Sequence, residues 1–332
     1  MSREIEAIAP GRICLAGEDV DWITGPSILC AVDLKTRVSV SESNDLFELK
    51  TRGILDSSIK LLKSEIGIYS HRVLDYTNAS IKVISDLGVD PTPISIEITS
   101  NLPAKAGLSS SAAVSVASVA AIANFYGLNL DKNTICDLAY KVESEELKTG
   151  AGQMDMYSSG LGGLIYLDSS TIPPTNVEGF TLPDGFDIVI ADTLTPRNTS
   201  DVIKTKRKRF NEKEPLIMKY VESTCEAITQ MRELLRGIPT DITELGHLIS
   251  YCHILLRDYM GVSTDLIEEC VDTSLANGAV GAKLTGTGMG GCIFAIAPST
   301  EKNKLINALA SLPVKIYSTR PSNDGVTVKR IK

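Results

Sequence analysis

The sequence predicts an α+β protein in two lobes. Strands that alternate apolar and polar residues, as in PISIEIT (Pro93–Thr99), interleave with segments of helical spacing. A turn-rich stretch from Ser169 to Gly185, holding Pro173, Pro174 and Pro183, lies near the middle of the chain and reads as the seam between domains. The division falls at residues 1–170 and 171–332.

The elements follow in order. Ala7 to Pro10 leads into the glycine-flanked segment Gly11–Gly17. Ile28–Val40 is rich in β-branched residues and reads as a strand. Ser58–Leu87 reads as a helical pair, because Leu61, Leu62 and Ile66, then Val73, Leu74, Ile81 and Ile84, recur at helical spacing. Ser109–Tyr126 is a helix that ends before Gly127, and Leu130–Leu147 is another. Leu161–Asp168 and Phe186–Thr193 read as strands. Ser200–Gly237 and Ile242–Tyr259 read as long helices. Cys292–Pro298 and Val314–Ser318 complete the strands.

Composition excludes several classes. The 332 residues are 43% hydrophobic and 22% charged, enough for a sizeable core. A formal net charge of −8 disfavours nonspecific nucleic-acid binding. The longest apolar stretch, Ala112–Phe125, is interrupted by Ser115, Ser118 and Asn124 and is too short to span a bilayer. The N-terminal segment lacks an apolar signal region. Seven cysteines form no C-x-x-C pair and read as small buried hydrophobes of a reducing, cytoplasmic protein. His71, His247 and His253 lack metal-ligand spacing and read as structural or surface residues. The basic run Lys204, Lys206, Arg207, Lys208 and Arg209 reads as a solvated helix face; the alternatives are a role near phosphates or a targeting signal.

Three stretches carry chemistry. LPAKAGLSSSAAVSV (Leu102–Val116) sets a glycine turn and three serines before a small-residue helix. A helix start offers unpaired N–H groups and the positive dipole end, and Gly107 lets backbone approach an anion closely. The hydroxyls of Ser109, Ser110 and Ser111 can cap the helix, bind phosphate oxygens or ligate a hard cation. The pattern is not a Walker loop. PGRICLAGEDVDW (Pro10–Trp22) gathers Arg12, Glu18, Asp19 and Asp21; the alternative is that its acids are ordinary turn residues. KLTGTGMGGCIFAIAP (Lys283–Pro298) satisfies G-x-G-x-x-G, but CIFAIA reads as a strand where a dinucleotide site needs a helix. A glycine turn against a ligand, or a tight hairpin, remains.

Together these stretches, in order and spacing, resemble the GHMP kinases over most of the chain. The resemblance implies the two-lobed GHMP kinase fold: an N-terminal ATP-binding lobe like domain 2 of ribosomal protein S5, and a ferredoxin-like C-terminal lobe, with ATP and substrate in the cleft. The pattern is nearest to galactokinase-like members. Arg12, Glu18 and Asp21 match, while Asp19 stands where histidine is usual. Glu143 precedes Asp155 by the family's interval of twelve residues in ESEELKTGAGQMD. ADTLTPRNTSDVIKTKRKRF is similar to a segment with an arginine followed by a basic cluster, with Thr205 in place of the usual sugar-contacting tyrosine. KLTGTGMGGC leans toward mevalonate kinases.

The resemblance implies an alcohol phosphotransferase using ATP and Mg²⁺. Gly107, Leu108, Ser109, Ser110, Ser111 and Ala112 would receive the nucleotide, and Ser111 and Glu143 the Mg²⁺. Asp155 would be the general base, with Arg12 beside it stabilising developing negative charge. Glu18, Asp19, Asp21, Gly152, Gly288 and Gly290 would line the acceptor site, and acceptor-rich carboxylates suit a polyol. The expected reaction is phosphorylation of a sugar, at its anomeric hydroxyl. The alternatives are mevalonate or another alcohol (a uronic acid, inositol or heptose), or a non-catalytic sugar and ATP sensor. The expected partners are small molecules, in a monomer or homodimer.

Overall fold

The computed structural model describes residues 3–53, 56–70, 73–104, 106–196 and 199–331. His71, Lys105 and Arg197 lie outside the described residues. The first half contains β1 (Glu4–Ala16), β2 (Pro26–Glu42), β3 (Phe47–Arg52), β4 (Ser57–Leu61), α1 (Asp75–Ser85), β5 (Ile94–Ser100), α2 (Ser110–Phe125), α3 (Lys132–Lys141), α4 (Met154–Leu161), β6 (Leu164–Asp168) and β7 (Asn176–Phe180). The second half contains β8 (Phe186–Asp192), α5 (Thr199–Asn211), α6 (Pro215–Arg236), α7 (Ile242–Leu255), α8 (Asp265–Ala276), β9 (Gly281–Thr285), β10 (Cys292–Pro298), α9 (Lys302–Leu309), β11 (Lys315–Thr319) and β12 (Thr327–Arg330).

The first sheet runs β12-β1-β2-β5-β3-β4, with β6 also on β2 and β7 on β6. The second is β11-β8-β10-β9, antiparallel throughout. Two strands beyond residue 170, β7 and β12, hydrogen-bond into the first sheet. Period-two alternation gives the second sheet two apolar faces. Ile188, Ile190, Phe294 and Ile296 join the main core with Ala227, Ile228 and Leu245; Val189, Ala191, Ile293 and Ala295 pack instead with Ile267, Cys270, Leu305 and Leu309 of α8 and α9.

Helix α2 explains how the site is built. Its sequence, SSAAVSVASVAAIANF, is apolar nearly all round, so it is buried against β1 and β2. Small side chains let it lie close to the sheet, and its N-terminus emerges beside the end of β1.

Several expected elements differ. The first half of the anticipated helical pair at 58–87 is strand β4, because Leu49↔Ile59 and Phe47↔Leu61 pair apolar residues across a hairpin; only Asp75–Ser85 is α-helical. The strand expected from Leu161 begins at Leu164, since Leu161 ends α4 and Gly162 and Gly163 turn the chain. The helix expected over 200–237 is broken between α5 and α6, where Lys213 has φ +52° and Pro215 opens the new helix. The sequence did not announce β1 as a strand, because Pro10–Gly11 reads as a breaker; the structure absorbs it as a bulge. All seven cysteines are free thiols, six of them buried. Among the described residues no helix is long and apolar enough to cross a membrane.

Candidate active site

Arg12, near the end of β1, is 3% exposed and holds two groups together with three donors. Its Nε and Nη2 donate to Asp155 Oδ1 at 2.8 and 2.6 Å, and its Nη1 donates to the Gly107 carbonyl at 2.8 Å. Asp155 lies in the first turn of α4 and Gly107 in the loop before α2, so one guanidinium joins the base candidate to the phosphate-loop candidate. Both bonds to Asp155 fall on Oδ1, leaving Oδ2 outside the pair.

The loop before α2 is wound tightly. Gly107 has φ +90°, and the Leu108 carbonyl accepts from the Arg12 N–H at 3.1 Å. Ser109 occupies the N-cap in the left-handed region, φ 57° and ψ 40°, and its side chain makes no capping bond. Its buried hydroxyl has no partner among the described residues. An ordinary cap would use that oxygen on the first-turn N–H groups. Here both are left over, as an anion cradle requires. Ser110 and Ser111 are half-buried and Ala112 is buried beneath them.

Glu143 sits in a wide π turn, Val142–Glu146, that continues α3, a distortion that recurs at functional sites. It is 3% exposed and accepts from Ser115 Oγ at 3.3 Å and Thr149 Oγ1 at 3.5 Å. The Ser111 hydroxyl also bonds it, and burial, reinforced by the Asp155 charge, pushes its pKa up to about 8. Tyr76 joins this corner, hydrogen-bonded to Ser111 and within the field of the Glu143 carboxylate. Ser111 and Glu143 form an all-oxygen donor pair suited to Mg²⁺, with phosphate and water completing the shell. Among the described residues no group of three or more His, Cys, Asp or Glu could hold a metal ion.

The motif-one acids are placed differently from one another. Asp21 is buried, and a Cβ on Gly152 would lie 1.8 Å from its Oδ2, so only glycine fits there. Burial, then Asp155 and Asp19, raises its pKa to about 7. Asp19, held at φ +66°, bonds Lys206 Nζ through Oδ2 and accepts from Trp22 Nε1 at 3.3 Å through Oδ1. Glu18 is 1% exposed and bonds Lys283 Nζ through Oε1. The third motif closes the site from the second sheet. A Cβ on Gly286 would come 2.8 Å from Gly107 Cα, so the two glycine turns abut. Gly288 and Gly290 back onto Val262 and Thr195.

Two expectations change at α5. Thr205 is exposed and donates to the Asp201 carbonyl at 2.9 Å, so it does not stand in for a sugar contact. The basic run is not one solvated face. Lys204 and Lys208 are exposed, but Lys206 is 2% exposed, Arg207 stacks over Trp22 at 5.3 Å and bonds the Gly150 carbonyl, and Arg209 pairs with Glu214. Trp22 also packs edge-on against Phe210. Lys283 and Tyr76 were not singled out from sequence, and Lys206 was read only as one member of the basic run. For Lys206 a signal existed: it falls on the apolar face of α5 with Ile203 and Phe210, three and four residues away. His253 is a satisfied core histidine, with Nε2 3.0 Å from Glu268 Oε1 and Nδ1 accepting from the Leu284 N–H at 3.4 Å.

Comparison with known proteins agrees with this architecture. Residues 72–163 match the GHMP kinases N terminal domain and residues 230–315 the GHMP kinases C terminal domain. The chain is 30% identical to a mevalonate kinase of Pyrococcus horikoshii over 100% of this chain and 99% of the relative. It is 27% identical to a galactokinase of Thermosipho africanus over 96% and 98%. In fold it superposes on the Methanococcus jannaschii mevalonate kinase with TM-score 0.81 at 23% identity, covering 97% and 98%. On a Lactococcus lactis galactokinase complexed with galactose the TM-score is 0.84 at 19% identity, covering 98% and 95%.

The chain belongs to the GHMP kinase family and has its two-lobed fold. It is a small-molecule kinase, a phosphotransferase with an alcohol group as acceptor. The galactokinase leaning of the motifs is not favoured by whole-chain likeness, which fits mevalonate kinases at least as well.

Proposed function

We propose that this protein phosphorylates mevalonate, a branched dihydroxy carboxylate, using ATP. The observation that carries the choice of acceptor is the engagement of the acids expected to grip a polyol: Glu18 bonds Lys283, and Asp19 bonds Lys206 and Trp22. The lysines occupy Glu18 Oε1 and Asp19 Oδ2, which reduces acceptor capacity for sugar hydroxyls, and Lys206, with a donor to spare, suits an acceptor that carries negative charge. Full-length likeness to mevalonate kinases supports the same reading.

In this reading Asp155 Oδ2 takes the proton from the acceptor hydroxyl while Arg12 fixes Oδ1, orienting the carboxylate and stabilising the charge that develops on the transferred group. The start of α2 and the unpartnered Ser109 hydroxyl receive phosphate oxygens. Ser111 and Glu143 would hold Mg²⁺, which would supply neutralisation of phosphate charge. Phosphoryl transfer needs little covalent chemistry from protein, so positioning by Arg12 is the central contribution.

Purified protein, assayed for ATP consumption with mevalonate, galactose, other hexoses, uronic acids and inositol, tests this reading. Mevalonate should exceed every sugar in kcat/KM by about 100-fold or more, the discrimination expected when a charged partner is specifically matched. A preference for galactose would restore the sugar reading, which the motif resemblance and the Thermosipho relative favour.

A further inference from the structure

We propose that Lys206, with the hydroxyl of Thr287, forms the subsite that takes the carboxylate of the acceptor, and so selects an anionic alcohol over a neutral one. This rests on the mevalonate reading above and assigns the residues that enforce it.

The argument is a count of donors. Three cations are buried at the site: Arg12, Lys206 and Lys283. An ammonium has three N–H donors. Lys283 uses all of them, on Glu18 Oε1, the Cys14 carbonyl at 3.2 Å and the Leu284 carbonyl at 2.8 Å. Arg12 is turned to Asp155 and the Gly107 carbonyl, the catalytic and phosphate side. Lys206 bonds Asp19 Oδ2 and the Thr287 carbonyl at 2.7 Å, and among the described residues it has no third acceptor. The Thr287 whose carbonyl Lys206 holds carries a buried Oγ1 that also lacks a partner among the described residues.

Burying an ammonium is costly unless its hydrogen bonds are completed. Lys206 had a cheaper option, because Lys204 and Lys208 on the same helix stay in solvent. The Asp19 it pairs with lies in the electrostatic reach of Asp21, which in turn feels Asp155. Lys206 also holds the carbonyl of Thr287, next to the Gly286 turn that abuts Gly107, so its ammonium lies between the motif-one turn and the third motif, beside the loop that Arg12 ties to Asp155. The spare ammonium N–H and the threonine hydroxyl make two donors for one carboxylate.

The probes are mevalonate and its neutral triol, in which the carboxylate is reduced to a primary alcohol. The wild-type protein should favour mevalonate by about 100-fold in kcat/KM, the scale of a charge-assisted pair in a desolvated site. In Asp19→Asn/Lys206→Gln, which removes both charges so that neither is stranded, that preference should fall to about fivefold or less, through KM for mevalonate. The KM for ATP should stay within about twofold, which a general loss of structure would not allow. Thr287→Val, which deletes only a hydroxyl, should raise KM for mevalonate about tenfold while the triol is little affected. If the wild type uses mevalonate but both variants keep the full preference, the subsite is wrong and the mevalonate reading stands. If the wild type does not phosphorylate mevalonate, both fall.

Discussion

Two adjacent acids of motif one, Glu18 and Asp19, are each bonded by a lysine from the second half of the chain, and the two pairs do different work. Lys283, on β9, is 0% exposed and spends every donor on Glu18 and two backbone carbonyls. That ammonium is saturated, although Glu18 Oε2 has no partner among the described residues, and the pair ties the turn after β1 to the second sheet. Lys206, on α5, keeps a donor in hand beside an unpartnered threonine hydroxyl. The spare hydrogen-bond capacity of the ammonium, more than its charge, separates a lysine that only holds the fold from one able to meet a ligand anion.

The sharpest way to break this contrast is at the Lys283–Glu18 pair. Lys283→Met strands the Glu18 carboxylate in the core and should cost about 3–5 kcal/mol of stability, read by urea denaturation. A loss under about 1 kcal/mol would mean that the pair is not closed to water. Next in size is Asp155→Ala on the open side. It should lower kcat by a factor of about 10² or more, as for removal of a positioned base, with nucleotide affinity retained. Full turnover in that variant would remove Asp155 as the base.

A pH experiment separates the corners further. Asp21 titrates near 7 in the folded protein, above the ordinary aspartate value. The folded state therefore holds a proton that the unfolded chain releases between about pH 4 and 7. This contribution to stability is complete below pH 4 and is lost as pH rises through 7. Ligand-free protein should weaken over that window by on the order of 1–4 kcal/mol, and Asp21→Asn should flatten the slope. An unchanged slope in the variant would place the titrating group elsewhere. The smallest effect belongs to the neighbour of Lys206: Thr205→Ala should change KM for the acceptor less than about twofold and stability by no more than about 0.5 kcal/mol. A large KM effect would return Thr205 to the acceptor site.

The phosphate-loop side was legible in the sequence because its signals are local. Gly107, the three serines and the small-residue run of α2 lie within one short stretch, and each has a backbone reason to be there. The strand β1 was hidden because Pro10–Gly11 imitates a terminus, and Ser57–Leu61 because short apolar runs fit helical and strand periods alike. At α5 a run of basic residues concealed one whose helical neighbours are apolar.

By itself the sequence determined the helix that offers its N-terminus to an anion, the glycine turns, and the presence of Arg12, Glu143 and Asp155 as candidates for chemistry. Tertiary structure alone decided which acids are free to act. The Lys283–Glu18 and Lys206–Asp19 bonds join residues 265 and 187 positions apart. A carboxylate's chemistry depends on what shares its pocket, and no local pattern encodes a partner that far along the chain.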